Sequence, residues 1–359
     1  YTNSMKPGYS VIMAGIMNFF GVILGGIGVA YVIVHLLPLD IMVSSDQNAT
    51  LVMIFSLLIS ALVWNFGTWY FGLPVSSSHS LIGSLVGVSV AFGMMHGFTF
   101  SQSLNWKVVY GILTALAVSP LLGFGLAFLI MKLSRKVVKN PKFFKSPTGD
   151  KKKKPNFWMR TGIIATGAGV SFAHGSNDGQ KGIGLIMIIL IGILPTYYAL
   201  NMEAHQYKIM QTRDSAANLA KFYADNNDNL TKLVNEKRLI SALKIENTIA
   251  ECDVNQVYNT TLEISTKLDG LKSYSELSSD DRWNIHNAVL CSDNFFQQVE
   301  KAYKSIDKDK SDYIADQRKQ ILPSTEYVPY WVIIAVAFMI GTGTMIGYRR
   351  VVHTIGEKI

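Results

Sequence analysis

The sequence predicts an all-α, polytopic membrane protein with a broken helix at mid-membrane and one polar helical insert. Three observations predict it. Apolar stretches of roughly 20 residues, enough to cross a bilayer core, recur along the chain. The 359 residues are 49 % hydrophobic and only 16 % charged, and the charge gathers in the connectors. One of the apolar stretches is interrupted by "FAHGSNDGQKGIG", Phe172 to Gly184, a cluster of polar groups and glycines.

Residues 1–131 read as a first group of membrane helices. Tyr9 to Leu37 is apolar apart from scattered Asn and Ser, long enough to span with tilt. Within it Gly21 and Gly25 form a G-x-x-x-G pair with Gly28 on a neighbouring turn, a spacing that lets helices approach closely in lipid. Leu51 to Tyr70 is a second span, and Trp64, Phe66, Trp69, Tyr70 and Phe71 at its end suit an interfacial belt. "GLPVSSSHSLIG", Gly72 to Gly83, follows and runs into apolar residues as far as Phe92. The number of crossings here stays open. Lys107 to Met131 is a further span, carrying Pro120.

Residues 132–160 hold eleven Lys/Arg against one acid, Asp150. Between two spans the positive-inside rule places such a loop in the cytoplasm, a simpler account than a nucleic-acid-binding face. The connectors Pro38 to Thr50 and Gly97 to Trp106 contain no Lys or Arg, which fits the outside. One crossing through residues 161–200 then puts the insert, residues 201–327, outside. Residues 328–359 return the chain to the cytoplasm at Arg349 and Arg350.

The insert is different material, with sixteen Lys/Arg and twenty Asp/Glu. Ile285, Ala288, Val289, Phe296, Val299 and Tyr303 recur at helical spacing, and Ser278 with Asp281 resembles a capping box opening that helix. Both cysteines, Cys252 and Cys291, lie here. In an oxidising compartment they are a disulfide candidate, the alternative being two buried thiols. The chain starts without Met or a signal peptide and stops just past one helix, so a piece of a longer protein is expected.

The chemistry sits in the two polar motifs. Ionisable groups inside a span cost a few kcal/mol each on insertion scales and usually face a cavity. Gly175, Gly179 and Gly182 bracket Asn177 and Asp178, and glycine at that density disfavours a continuous helix. A break there would free backbone groups to line a substrate site, as transporters do. His174, Gln180 and Lys181 would serve coupling or charge balance beside Asp178. The alternative is that Asp178 and Lys181, three apart, simply pair on one helix face. In the second motif Pro74 suits a first helical turn, and Ser76, Ser77 and Ser78 offer hydroxyls and amides to a tetrahedral oxyanion, with His79 as a balancing charge. Plain helix capping is the alternative. A serine–histidine hydrolase lacks an orienting acid, and adjacent helical positions do not face each other.

At these motifs the chain resembles the inorganic phosphate transporter (PiT) family, whose members carry a G-A-N-D-V-A-N-type and a P-V-S-[ST]-[ST]-H-type motif in each of two inverted repeats. Gly175 to Asp178 match the first motif in its second-half copy, and Pro74 to His79 the second in its first-half copy. The missing partner copies would lie before Tyr1 and beyond Ile359. Gly179, Gln180 and Lys181 depart from V-A-N. This form, with "WNFGTWYFGLP", "STEYVPYW" and the closing "GTMIGYRRV", is similar to the bacterial low-affinity branch.

The resemblance implies a multi-pass carrier of the bacterial inner membrane, not an enzyme, that imports inorganic phosphate as a complex with a divalent metal such as Mg. Protons would be the coupling ion, sodium the alternative. Ser76, Ser77 and Ser78 would hold phosphate oxygens. Asn177 and Asp178 would contact the substrate complex or coupling cation. No permanently bound cofactor and no resident metal are expected, arsenate should compete, and a homo-oligomer stays open. The alternatives are a sulfate permease on the same scaffold and a membrane-anchored periplasmic binding or sensing module.

Overall fold

The computed structural model describes residues 4–36, 47–97, 99–101, 103–139, 144, 155–230, 256–346 and 348. Among these residues the chain is helical without strands. The membrane part comprises α1 (Pro7–Leu24), α2 (Gly28–Val34), α3 (Gln47–Tyr70), α4 (Ser77–Met95), α5 (Trp106–Val137), α6 (Phe157–Ile193) and, after the insert, α11 (Tyr330–Ile346). The insert holds α7 (Gln206–Asp225), α8 (Val257–Lys267), α9 (Ser279–Tyr303) and α10 (Lys308–Ile321). Residues 140–143 and 145–154 of the basic stretch, Cys252, Arg349 and Arg350 lie outside the described residues.

Among the described residues four helices are long and apolar enough to cross a membrane: Pro7–Leu24, Asn48–Tyr70, Ser77–Met95 and Trp106–Val137. Their apolar surface is largely outward. Along its 32 residues α5 buries only Val109, and exposed Leu, Phe and Ile side chains cover its flank. Such a surface is at home against lipid or another apolar partner.

The centre of the membrane part is the crossing of α1 and α2 with α6, flanked by α11. Glycines on both partners make it close. A Cβ at Gly21 would strike the backbone of Phe172 and Ser176, and a Cβ at Gly175 would strike the backbone of Asn18. Gly25 faces Ser176 and Gly179 faces Val22. Small residues every fourth position thus let two backbones meet, as the G-x-x-x-G spacing predicts.

The same contacts correct the expected site of the break. α6 is one continuous helix from Phe157 to Ile193, straight through Gly175, Gly179 and Gly182. Gly175, Gly179 and Gly184 lie along the face packed on α1 and α2, and Gly182 faces Val336 of α11, so these glycines serve close contact rather than a break. The interruption falls instead in the first span. α1 ends at Leu24 and α2 begins at Gly28, with Gly26 at φ 77°, a left-handed conformation glycine adopts without strain. Gln180, buried on α6, closes the break. Its Nε2 donates to the Gly25 carbonyl (2.7 Å) and its Oε1 accepts from the Val29 N–H (2.7 Å). A freed carbonyl and a freed amide are thereby satisfied where water is scarce.

This arrangement makes a prediction. Gln180→Leu keeps the volume and leaves Gly25 and Val29 without their partner, at roughly 1–3 kcal/mol for each orphaned group. Hydrogen exchange at the Val29 amide should accelerate while exchange in α9 stays unchanged. Equal protection in the variant would mean the break is held by other contacts.

The insert has its own core. Ile285, Ala288, Val289, Phe295, Phe296, Val299 and Tyr303 are all buried on α9, and pack with Leu219, Ile264 and Ile314 of the surrounding helices. Ser278 caps α9, accepting from the Asp281 N–H (3.1 Å). Cys291 is buried on α9 and is disulfide-bonded. Arg318 of α10 grips Asp293 of α9 with two bonds (2.8 and 3.0 Å) and also bonds Glu300.

Candidate functional site

The site is assembled from the first turn of α4 and the middle of α6. α3 ends in a Schellman-type turn: Leu73 N–H donates to the Thr68 carbonyl (2.9 Å) and Gly72 adopts φ 68°. Residues 73–76 then lie outside regular structure, and α4 starts at Ser77 with the extended Ser76 as its N-cap. Pro74 therefore precedes the helix by three residues, not in its first turn as expected. Ser76 accepts from the His79 N–H (3.4 Å), Ser77 is exposed, and Ser78 is buried toward α6.

On α6, His174, Asp178 and Lys181 share one face, being four and three residues apart. Lys181 Nζ donates to Asp178 Oδ1 (2.9 Å) and to Ser78 Oγ (2.6 Å). Ser78 Oγ donates in turn to Asp178 Oδ1 (3.4 Å). His174 Nε2 lies 3.3 Å from Asp178 Oδ2. The helix-face pair of Asp178 and Lys181, one of the two sequence readings, is thus present, and a serine from the other motif joins it. An ammonium, a carboxylate and a hydroxyl converge beside the amino end of α4, where the helix dipole adds positive potential.

The two motifs meet through one serine. Ser78 touches Asp178, whereas Ser76 is occupied by capping and Ser77 is exposed. His79 departs from its expected place, because it turns into a separate groove between α3 and α4 lined by Ser60, Trp64 and Gly83. Ser78 and His79 thus face different spaces, which removes the geometry a nucleophile–base pair needs. Gln180 departs too. Its amide is engaged with the α1–α2 break, so it holds that break rather than a charge.

Ser78, Asn177 and Lys181 form the inner end of a cavity of about 840 Å³. Its outer end is lined by residues that the sequence did not single out: His35 capping α2, Lys107 on α5, Asp293 on α9, Arg318 on α10, and Glu326. Membrane helices and insert therefore share one cavity. Among the described residues no group of three His, Cys, Asp or Glu converges, and Asp178 is the one carboxylate touching Ser78 and Lys181.

Asn18 is another residue that sequence reasoning passed over. It is buried on α1, donates to Thr344 Oγ1 on α11 (2.9 Å), and leaves its Oδ1 without a partner. A lone polar residue in "GIMNFFG" was its signal.

The model of the phosphate transporter family matches residues 1–359. The low-affinity inorganic phosphate transporters PitB and PitA of Escherichia coli (strain K12) are 39 % and 38 % identical to the chain, each match covering 100 % of it and 74 % of the relative. A probable low-affinity inorganic phosphate transporter of Bacillus subtilis (strain 168) is 34 % identical over 53 % of this chain and 51 % of its own length. No solved structure matches the chain. With a family model spanning every residue and relatives this similar along the whole chain, the protein is a membrane transporter rather than an enzyme, and it belongs to the phosphate transporter family.

Proposed function

We propose that the protein imports inorganic phosphate across the bacterial inner membrane by alternating access, as a complex with a divalent metal and together with protons. One observation carries this reading: Lys181, Asp178 and Ser78 converge at the inner end of the 840 Å³ cavity. The ammonium of Lys181 and the α4 amides suit phosphate oxygens. The carboxylate of Asp178 suits either a P–OH proton or a metal ion arriving with the anion. Ser76 and Ser77 join Ser78 in holding phosphate when the Ser78–Lys181 contact opens. In the form described here Lys181 and Asp178 satisfy each other, so the anion must displace one partner of a neutral pair. That keeps the site from presenting a bare charge to lipid or to stray ions.

Asp178 favours phosphate over sulfate, because sulfate at neutral pH has no proton to donate. The insert reads as the outer wall of the path, outside the membrane. The shared cavity speaks against the insert as a separate binding module.

Labelled phosphate uptake in cells lacking other phosphate transport tests the reading, with Mg²⁺ and a protonophore as variables. Uptake stimulated by Mg²⁺, abolished by the protonophore, inhibited by arsenate and indifferent to sulfate is expected. Sulfate inhibition equal to that of arsenate would transfer the case to a sulfate carrier, and sodium-driven uptake insensitive to the protonophore would replace the proton.

A further inference from the structure

The insert joins the last span through a segment that α2 holds by one side chain. The Tyr31 hydroxyl shares its proton between the carbonyls of Tyr327 (2.5 Å) and Thr325 (3.1 Å), and accepts from the Tyr327 N–H (2.6 Å). The backbone on both sides of Glu326 is fixed by these three contacts. One helical turn beyond Tyr31, His35 presents Nε2 at 3.7 Å from Glu326 Oε1. Both side chains are about seven-tenths covered, with 30 % and 28 % exposure, and both line the outer part of the cavity that ends at Ser78 and Lys181.

We propose that Glu326 and His35 form a proton-binding site at the mouth of this cavity, and that the proton taken up there admits the anion to the Ser78–Lys181 end. The proposal rests on the transport function above and assigns the proton a place in it. The charges around the pair decide the effect. Arg318 faces Glu326 from α10 but is already gripped by Asp293 and Glu300. Asp293 faces it from α9 and adds repulsion, and Lys107 of α5 lines the same cavity. His286 of α9 lies within electrostatic reach of His35 but is buried, and burial holds it down to about 4, so it stays neutral. An ionised Glu326 thus adds a second negative charge beside Asp293 to an anion's path. Protonation of Glu326 from outside water, with the His35 ring 3.7 Å away, removes that charge. Burial, reinforced by Asp293, pushes the Glu326 carboxyl up to about 7, so its occupancy changes across the neutral range. Tyr31 is a positioning residue here, acting through the backbone that carries Glu326.

The test is the KM for labelled phosphate at external pH 6, 7 and 8, with the full chain in proteoliposomes. Phosphate itself titrates in this range, so the readout is the ratio of wild-type to variant KM at each pH, in which speciation cancels. If only the protonated site admits the anion, that ratio for Glu326→Gln should rise about tenfold from pH 6 to pH 8. Tyr31→Phe, which releases the segment toward solvent, should move the midpoint down toward the ordinary carboxylate range. A ratio for Glu326→Gln that is constant with pH overturns the proposal. Should that variant fail to assemble, Glu326→Asp carries the test: a shifted midpoint supports the site and an unchanged one overturns it. No phosphate uptake by the wild type at any pH would overturn the transport reading itself.

Discussion

Alanine at Gly175 will destabilise the protein, whereas alanine at Gly169, six residues earlier on the same helix, will be neutral or stabilising. The intrinsic effect of the two changes is the same, since alanine is favoured over glycine inside a helix by about 1 kcal/mol. Their surroundings are opposite. Nothing lies within 4 Å of a Cβ at Gly169, whereas a Cβ at Gly175 runs into backbone atoms of Asn18. Backbone cannot rotate away, so α1 and α6 must separate. Overpacking of this kind costs roughly 1–3 kcal/mol or more. Separation would also stretch the Gln180 bonds that close the α1–α2 break. Gly21→Ala should behave like Gly175→Ala, because it meets Phe172 and Ser176 from the other side. Thermal unfolding in detergent and the amount of protein reaching the membrane are the measurements. Equal stability of the Gly169 and Gly175 variants would mean that the two helices do not meet at this distance.

Removing the ammonium at the site will have the second large effect. Lys181→Met leaves Asp178 with His174 and Ser78 but without its cation, and an uncompensated acid within a span costs about 2–3 kcal/mol on insertion scales. Both side chains keep about a fifth of their surface exposed, 17 % for Lys181 and 21 % for Asp178, so part of that cost is relieved by solvent. Abundance of the single variant should fall. Asp178→Asn added to Lys181→Met removes the charge imbalance and should restore abundance. Phosphate uptake should not return, staying on the order of tenfold or more below wild type in the double variant. Restored abundance with lost uptake separates a transport role from a structural one. Restored uptake would reduce the pair to a packing device.

How much of this was legible depended on the kind of evidence in the sequence. Span positions followed from apolar length: Leu51 to Tyr70 and Lys107 to Met131 lie within α3 and α5, and residues 328–359 contain α11. The α9 core face was readable because Ile285, Ala288, Val289, Phe296, Val299 and Tyr303 fall at helical spacing on one element. The break was misplaced for a physical reason. Glycine permits both a break and a close helix crossing, and only the partner surface tells them apart. At Gly175 the partner is Asn18 backbone, so the helix runs on; at Gly26 there is no neighbour within 4 Å and φ is positive, so the helix stops.

The site divides in the same way. Asp178, Lys181 and His174 could be placed on one face from their spacing alone, because helical periodicity is local. That Ser78 rather than Ser76 or Ser77 meets them depends on where the α3 turn releases the chain into α4. That His79 looks the other way follows from the same rotation. Glu326 and His35, nearly three hundred residues apart, carry no shared pattern.

The sequence by itself determined the membrane class, the helical insert and the residue types at the two motifs, since hydropathy, periodicity and local composition act over a few turns. Only the tertiary structure decided which glycines break a helix and which pack one, which serine reaches Asp178, and that insert and spans line one cavity. Those outcomes rest on contacts between distant segments, and close packing admits far fewer arrangements than local preference allows.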